Sequence, residues 1–258
     1  MNLKYTLLFI AGLFIFLPLQ AQKETTKGLE WAAAHGLEYS VRAGFNIGGT
    51  APIPLPEEIR AIKRYSPQLS LSIEGTVTKW LDSNWGIQTG IRLESKAMST
   101  KARVKNYSIE LSVAGEAPLL GRWTGDVKTD VNNTYLTIPL LAKYKLNSCW
   151  DLHGGVFFSY LLDGDFSGNV YDGYLRDGDP TGTKVEFTGN DTATYEFSDD
   201  LRKIQWGAQI GADWKAFKHL TVNANLTWGF MDIFKSNFKT ITFSMYPIYL
   251  NVGFGYVF

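Results

Sequence analysis

Charged side chains of both signs recur on one face of the alternating segments of this chain, and they are its main candidates for chemistry. Enclosed acids and bases can relay protons or line an ion path, or they can neutralise one another as a packed plug. We predict the plug, because buried charges are tolerated only when they are paired. The candidates are Glu38, Arg42, Glu74, Arg92, Glu94, Lys143, Lys145, Asp151, Asp213 and Lys215.

The three histidines, His35, His153 and His219, give little support for catalysis. None falls in the four longest intervals between the alternating segments, and an acyl-transfer or protease site usually needs a histidine base. The sequence therefore predicts no catalytic residue, with an all-carboxylate surface site as the enzymatic alternative. We expect His153 to be a hydrogen-bonded structural residue rather than a metal ligand.

The segment DGDFSG (163–168) resembles the first half of a calcium loop, with oxygen-bearing residues at positions 1, 3 and 5 and glycine at position 6. Position 12 is Tyr174, where a calcium loop has a bidentate glutamate. We predict a glycine- and aspartate-rich turn, with calcium binding at 163–174 left open, and no resident metal or cofactor. The single cysteine, Cys149, excludes a disulfide framework and a multi-cysteine metal site.

Composition narrows the class of protein. The 258 residues include 25 Lys and Arg and 25 Asp and Glu, and a formal net charge of zero argues against nucleic-acid binding. A mean hydropathy of −0.10 excludes a bundle of transmembrane helices. Aromatic residues make up 14% and there are 25 glycines, which is typical of a β-rich chain.

The chain begins with a segment typical of a secretory signal peptide, predicted over residues 1–21. A positive charge precedes a short apolar core, and Ala21 marks the cleavage site. The core is too short to span a bilayer as a helix, which needs about 20 apolar residues. We expect a periplasmic N-terminal segment over 22–36, with a short helix at 28–36, and a β-barrel over 37–258.

Eight segments alternate between apolar and polar residues, the pattern of strands with two different faces. The intervals between them are alternately long and short, so all long connections lie at one end of an up-and-down barrel. This layout is typical of outer-membrane proteins, and the predicted fold is all-β, a single eight-stranded antiparallel transmembrane barrel. The segments are 37–47, 67–81, 84–96, 134–146, 149–161, 202–215, 219–231 and 246–258.

A secreted soluble barrel is the rival, and three observations favour the membrane. The apolar face carries no charge at mid-strand, with Lys79 near a strand end, and a Lys or Arg facing lipid at mid-depth would cost about 2–4 kcal/mol. Aromatic residues near the short turns predict an interfacial girdle of Trp80, Trp85, Trp150, Trp214 and Tyr256. Small residues suit a narrow lumen, and the polar face carries Gly44, Gly86, Gly90, Gly155, Gly207, Gly211, Gly229, Gly253 and Gly255.

Three further features of the sequence depart from a regular ring of eight strands. Residues 103–113 and 183–197 also alternate, and we predict strand extensions or hairpins above the membrane, with ten strands as the alternative. The first long interval has three prolines and then EEIRAIKRY (57–65), which predicts extended chain and a short helix. Pro139, in mid-strand, cannot donate a ladder hydrogen bond, so we expect a bulge or a bridging water.

The segment YLTIPLLAKYKL (135–146) resembles the signature of the PorT-type outer-membrane β-barrel family. LRKIQWGAQIGADW (201–214) and the final NVGFGYVF (251–258) are similar to that family's penultimate and last strands. The terminal aromatic, Phe258, also resembles the signal read by the barrel-insertion machinery. The resemblance implies an acid where this chain has Thr137, and if that acid forms an interior ion pair in relatives, the pair is expected to be missing here.

The sequence thus predicts a non-enzymatic integral protein of the cell outer membrane with a structural or interaction role. The resemblance adds a more specific hypothesis, membership of a secretion or surface assembly. Expected partners are outer-membrane lipid, the insertion machinery and an envelope protein, and no nucleic acid. A narrow ion or small-solute channel is the main alternative, followed by a surface enzyme.

Overall fold

The computed structural model describes residues 28, 30–32, 34–112, 119–187 and 192–258, and the predicted signal peptide lies outside them. Within these residues, eleven strands form one sheet. No helix among them is long and apolar enough to cross a bilayer. The strands are β1 (Leu37–Pro52), β2 (Ile59–Pro67), β3 (Leu71–Trp80), β4 (Trp85–Leu111), β5 (Leu119–Lys145), β6 (Trp150–Asp177), β7 (Lys184–Phe187), β8 (Ala193–Glu196), β9 (Ile204–Lys215), β10 (Leu220–Gly229) and β11 (Met245–Val257).

Eight of the strands close into a ring in which every neighbour is antiparallel. The order is β1, β3, β4, β5, β6, β9, β10 and β11, and β11 returns to β1 from Ser40↔Val257 to Pro52↔Met245. Each of the eight alternating segments supplies one of these strands, which confirms the predicted barrel. The ten-stranded alternative is wrong: residues 103–111 continue β4, and β7 and β8 pair with β6 outside the ring.

The alternation sends polar residues into the lumen and apolar residues outward. Along β1, Ser40, Arg42 and Asn46 are buried, whereas the outward-facing Val41 is 51% exposed. Isolated surface apolar residues are ordinary, but a continuous exposed apolar band is what a bilayer requires. Outward members of this band include Phe45, Ile73, Ile87, Ile91, Ile138, Leu140, Phe158, Ile210, Leu226, Leu250 and Phe254.

Three ring strands continue far beyond the membrane at the end that carries the long connections. β4, β5 and β6 contain 27, 27 and 28 residues, and a tilted strand of that length rises about 70 Å, against an apolar band of about 25 Å. We call this part the extension. Its inner face is an apolar core that was not predicted, with Met98, Val104, Ile109, Leu111, Trp123, Val127, Val131, Phe166, Val170, Leu175, Phe187, Tyr195, Phe197, Ile233 and Phe234.

The predicted short helix at 57–65 is wrong, because most of that segment lies in β2. β2 pairs with the extension of β4 from Ile59↔Val104 to Pro67↔Met98. β3 begins at Leu71, so the edge of β4 above that level would otherwise expose unpaired backbone groups. Pairing with this edge outweighs the weak local preference for helix.

Pro139 interrupts the ladder without the bulge that we expected. β4 and β5 pair at Thr89↔Leu140 and again at Arg92↔Thr137, in unchanged register. Thr89 Oγ1 donates to the Pro139 carbonyl at 2.8 Å. The strand therefore loses pairing over two residues and recovers it without a shift.

The short-turn end carries most of the predicted girdle. Trp85, Trp150, Trp214 and Tyr256 face outward and are 42–51% exposed. Trp80 departs from the prediction: its indole Nε1 donates to Glu38 at 3.4 Å, and Lys143 and Lys145 lie over its ring.

The N-terminal residues and residues 163–174 complete the comparison with the predicted elements. The described residues between 28 and 34 are helical, and Lys79 donates to the carbonyl of His35 just after them. Residues 163–174 form part of β6, with Asp165 opposite Asn132. The turn predicted there is therefore wrong, and the segment lacks the curled loop of a calcium site.

Candidate functional site

The lumen holds two clusters of charged side chains, one above the other. The lower cluster lies toward the short turns and centres on Asp213 of β9. Its Oδ2 atom lies 2.9 Å from Arg42 Nη2 and 3.0 Å from Lys143 Nζ. Lys143 is also 3.3 Å from Asp151, which Lys215 approaches at 3.0 Å. Because these residues come from four strands, the cluster ties opposite walls of the barrel together.

His153 borders the lower cluster, in the setting expected of a structural histidine. Its Nδ1 atom lies 3.8 Å from Asp213 Oδ2. Its Nε2 atom is hydrogen-bonded to Asn225 Oδ1, which also accepts from Gln209 at 3.1 Å. Gly211 leaves room for this arrangement, because a Cβ atom there would lie 2.5 Å from His153 Nε2.

The upper cluster centres on Arg92 of β4. Arg92 Nε lies 3.4 Å from Glu94 Oε2, and Arg92 Nη1 lies 3.7 Å from Glu74 Oε1. Arg92 Nη2 donates across the lumen to Gln209 Oε1 at 2.9 Å. Lys96 Nζ lies 3.1 Å from Glu94 Oε1. The two carboxylates and two cations thus neutralise each other at mid-barrel.

Thr137 takes part in this upper cluster through its hydroxyl. Thr137 Oγ1 donates to Glu94 Oε1 at 2.8 Å and lies 2.8 Å from Ser159 Oγ. The carboxylate at this level is therefore supplied by Glu94 on the neighbouring strand. An ion pair is present at the level of residue 137, although residue 137 itself carries no charge.

Lys96 marks the boundary between the polar lumen and the apolar core. Its Nζ atom lies 5.5 Å, 5.4 Å and 5.7 Å from the ring centroids of Tyr135, Phe157 and Tyr249, within the range of cation–π attraction. Sequence reasoning missed Lys96 as an interior charge. It stands on the same polar face as Arg92 and Glu94, which is the signal that could have identified it.

The ten predicted interior charges divide into two groups. Arg42, Glu74, Arg92, Glu94, Lys143, Asp151 and Asp213 are at most 5% exposed and form the clusters. Glu38, Lys145 and Lys215 are only partly buried and lie at the short-turn mouth, where Lys215 and Glu38 contact the edge of the lower cluster and Lys145 Nζ is 3.8 Å from the Trp80 ring centroid.

The buried charge of the lumen sums to zero. Arg42, Arg92, Lys96 and Lys143 are balanced by Glu74, Glu94, Asp151 and Asp213, all at most 5% exposed. Charges in a low-dielectric site are tolerated when they are paired in this way. With equal numbers of buried cations and anions, the lumen carries no net buried charge that would favour ions of one sign.

A cavity of about 500 Å³ lies above the lumen, between the upper end of β1, β2 and the extension of β4. Apolar side chains and glycines form most of its wall. Met98, Ala102 and Val104 of β4 contribute one side, and Gly48 and Gly49 of β1 contribute the other. Sequence reasoning did not predict this cavity.

Comparison with known proteins gives a family match and distant structural likenesses. A family model described as outer membrane protein beta-barrel domain matches residues 20–235. Among curated proteins, no sequence matches the chain.

The solved structures that resemble this fold are outer-membrane proteins of low sequence identity. The attachment invasion locus protein Ail of Yersinia pestis shares 12% identity, covering 86% of this chain and 98% of its own, with a TM-score of 0.37. OprG of Pseudomonas aeruginosa shares 14% identity over 86% and 95%, with a TM-score of 0.34. The outer membrane protease OmpT of Escherichia coli shares 12% identity over 86% and 96%, with a TM-score of 0.31. At these values, none bears on the activity of this chain.

The family match covers most of the chain and seven of the eight ring strands. In outer-membrane barrels, the short turns are periplasmic and the long loops are extracellular. The extension then stands outside the cell, and the lower cluster lies toward the periplasm. The chain belongs to the outer membrane protein beta-barrel domain family and is located in the outer membrane.

Proposed function

We propose that this protein is a closed, non-enzymatic barrel that anchors a rigid β-sheet surface outside the cell for contact with another envelope protein. The observation that carries the proposal is the neutral network of paired charges that fills the lumen. Arg92 of β4 contacts Glu74 on β3, Glu94 on its own strand and Gln209 on β9. A barrel closed in this way serves as a support rather than as a conduit.

The extension supports an interaction role. Its inner face packs an apolar core around Trp123, Val127 and Phe166, whereas outward positions such as Lys105 and Glu110 are exposed and charged. An apolar core of this size holds the sheet in one shape without help from the membrane. The extension therefore presents a preformed surface, which lowers the entropy cost of binding a partner.

The likeness of residues 135–146 to PorT-type proteins supports the more specific hypothesis of a subunit in a secretion or surface assembly. The positions of the histidines support a non-enzymatic role. His153 is buried in the lumen, and the Nδ1 atom of His219 donates to the Val257 carbonyl near a periplasmic turn. Neither lies on the extracellular surface, where a surface enzyme would need its base.

Conductance in planar lipid bilayers tests the closed lumen. We expect the wild-type protein to show no ordered current steps over many insertions. The Arg92→Ala, Glu94→Ala double variant removes one cation and one anion from the centre of the upper cluster, so that only Glu74 and Lys96 remain and the net charge is unchanged. It should conduct, and its steps would show that the assay detects an open lumen. Steps of equal size in both proteins would contradict the proposal.

Affinity purification from washed outer membranes tests the partner, with stoichiometry measured by mass spectrometry. We expect one envelope protein at a fixed ratio. Reversal of charge at Lys105 and Glu110 should reduce its recovery, whereas Lys218→Glu in a periplasmic turn should not. Recovery of the barrel alone would contradict the interaction role. Equal recovery of the partner with every variant would show that the extension is not the contact surface.

A further inference from the structure

The cavity above the lumen has the size of a small-molecule site. Its volume of about 500 Å³ falls within the range of about 300–1,000 Å³ of ligand pockets. Its inner end reaches Val127 of β5 and Phe166 of β6, and Phe243 and Met245 also line it. The cavity therefore penetrates the extension from one side instead of lying on its surface.

The opening is a gap in the wall between β1 and β2. Pairing of β1 with β3 ends at Phe45↔Leu71, and the last backbone bond on this side runs from the Asn46 amide to the Ser70 carbonyl. Above that level, β2 pairs with β4 and leaves β1. The Tyr65 hydroxyl bridges the gap by donating to the Gly48 carbonyl at 2.5 Å.

The chemistry of the lining selects an apolar ligand. The side chains that the structure places around the cavity are uncharged. The Thr129 hydroxyl already lies 2.6 Å from the Tyr195 hydroxyl, and that of Tyr65 is bound to Gly48. The remaining hydroxyls are those of Thr50, Thr100 and Tyr107, within a wall that is otherwise mostly apolar. A hydrocarbon chain would fill this space with dispersion contacts, whereas a charged group would find no opposite charge in the lining.

The mouth of the cavity is continuous with the lipid-facing surface. Ile47 of β1 lines the cavity and lies on the outward face, 44% exposed. Gly49 pairs with Ile248, which pairs with Trp228. Trp228 is 48% exposed and packs against Phe230 at 5.9 Å between ring centroids, as part of an aromatic group at the outer interface. The mouth therefore opens near the outer leaflet.

We propose that this cavity binds the hydrocarbon chain of an amphipathic molecule, which enters between β1 and β2 and leaves its polar head outside. The chain would lie along Met98, Ala102 and Val104 and end near Phe166. Two sources share this chemistry: an acyl chain of an outer-leaflet lipid and a free fatty acid that arrives from outside the cell.

Photo-crosslinking of the full-length protein in nanodiscs tests the site. One sample receives free palmitate with a diazirine near its methyl end, and a second contains phosphatidylcholine with the same chain. We expect crosslinks in the peptides that contain Ile59–Tyr65 or Met98–Val104. An excess of unlabelled palmitate should saturate the site in the first sample. The sample in which these peptides are labelled identifies the source of the bound hydrocarbon chain.

Ala102→Trp should reduce labelling of these peptides at least tenfold, because an indole ring would occupy the cavity. Ile62→Glu places a charge on the exposed rim and serves as a second variant if Ala102→Trp does not fold. Val185→Glu is the matched control, since Val185 is exposed on the extension and does not line the cavity. Labelling that is equal in all variants, or confined to the lipid-facing strands in both samples, would overturn the proposal.

Discussion

Arg42 Nη2 and Asp213 Oδ2 lie 2.9 Å apart across the lumen, although β1 and β9 are separated in the ring by β10 and β11. Both side chains are buried. The contact therefore joins walls that backbone pairing does not join directly. Lys143 approaches the same carboxylate oxygen from β5 at 3.0 Å, so one acid holds two cations.

This arrangement predicts unequal effects of removing the partners. Asp213→Asn leaves Arg42 and Lys143 facing each other, and the loss of one member of a buried pair costs about 3–5 kcal/mol. Arg42→Met leaves Asp213 paired with Lys143, so we expect a smaller loss of about 1–3 kcal/mol. Urea unfolding in lipid vesicles measures both free energies of unfolding. A larger loss of stability for Arg42→Met than for Asp213→Asn would contradict the central role of Asp213 in this cluster.

The second prediction concerns the exchange of an acid between neighbouring strands. Thr137→Glu would place a second carboxylate within hydrogen-bond distance of Glu94, and like charges this close cannot both ionise without cost. We expect a loss of about 2–4 kcal/mol in the free energy of unfolding. Combining Thr137→Glu with Glu94→Thr should restore most of it, because a single acid then faces Arg92. A double-mutant cycle measures the coupling, and additive effects would refute the exchange.

Gly211 provides a third prediction. A Cβ atom at this position would lie 2.5 Å from both the Ala224 carbonyl oxygen and His153 Nε2. Gly211→Ala should therefore cost about 1–3 kcal/mol through overpacking. Gly75→Ala is the matched control, since nothing lies within 4 Å of its Cβ position. Refolding yield and urea midpoints compare the two, and equal behaviour would show that the lumen can adjust around His153.

Asp126, in the extension outside the membrane, gives a pH-dependent prediction. Burial raises the pKa of Asp126, but hydrogen bonds from Arg103 at 2.7 Å and Lys63 at 2.5 Å more than reverse this, so its pKa lies below the ordinary value. The lower folded pKa means that the carboxylate stabilises the fold fully above about pH 5. That contribution is lost as the pH falls through the folded pKa, below the unfolded value of about 3.9.

Hydrogen exchange of the β2 peptide measures this effect, after correction for the intrinsic rate. Lys63 and Arg103 are about half exposed. We therefore expect their ion pairs with Asp126 to add about 0.5–1 kcal/mol to the free energy of opening β2. Asp126→Asn should speed exchange of β2 roughly two- to fivefold at pH 7 and remove the pH dependence. Asp130→Asn is the control, because Asp130 pairs with Lys128 of its own strand. A pH dependence that persists in Asp126→Asn would contradict the prediction.

The membrane-spanning strands could be predicted from sequence because their two faces meet opposite surroundings. In β11, Leu250, Phe254 and Tyr256 face lipid while Asn251 and the glycines face the lumen. Lipid and a polar lumen impose the strongest period-two contrast that a strand can carry. The same contrast identified seven buried members of the charge clusters.

A strand extension was predicted at 103–113, but the apolar core of the extension was not, because the pattern along β4 changes phase. Along β4, Val104 and Ile109 both face the core, although they are five residues apart. A register shift between Val104 and Tyr107 reverses the alternation, with Asn106 at a φ of 57°. Nothing in a single strand marks such a shift, and neither the cavity nor the pairing of β2 with β4 can be derived without it.

The two halves of β4, β5 and β6 carry their apolar residues on opposite sides: outward in the membrane and inward in the extension. A shift of the barrel toward the periplasm would place charged side chains such as Lys105 in the hydrocarbon layer. A shift away from the cell would expose Ile91 and its apolar neighbours to water. The level at which the apolar face changes sides therefore fixes how far the molecule protrudes from the membrane.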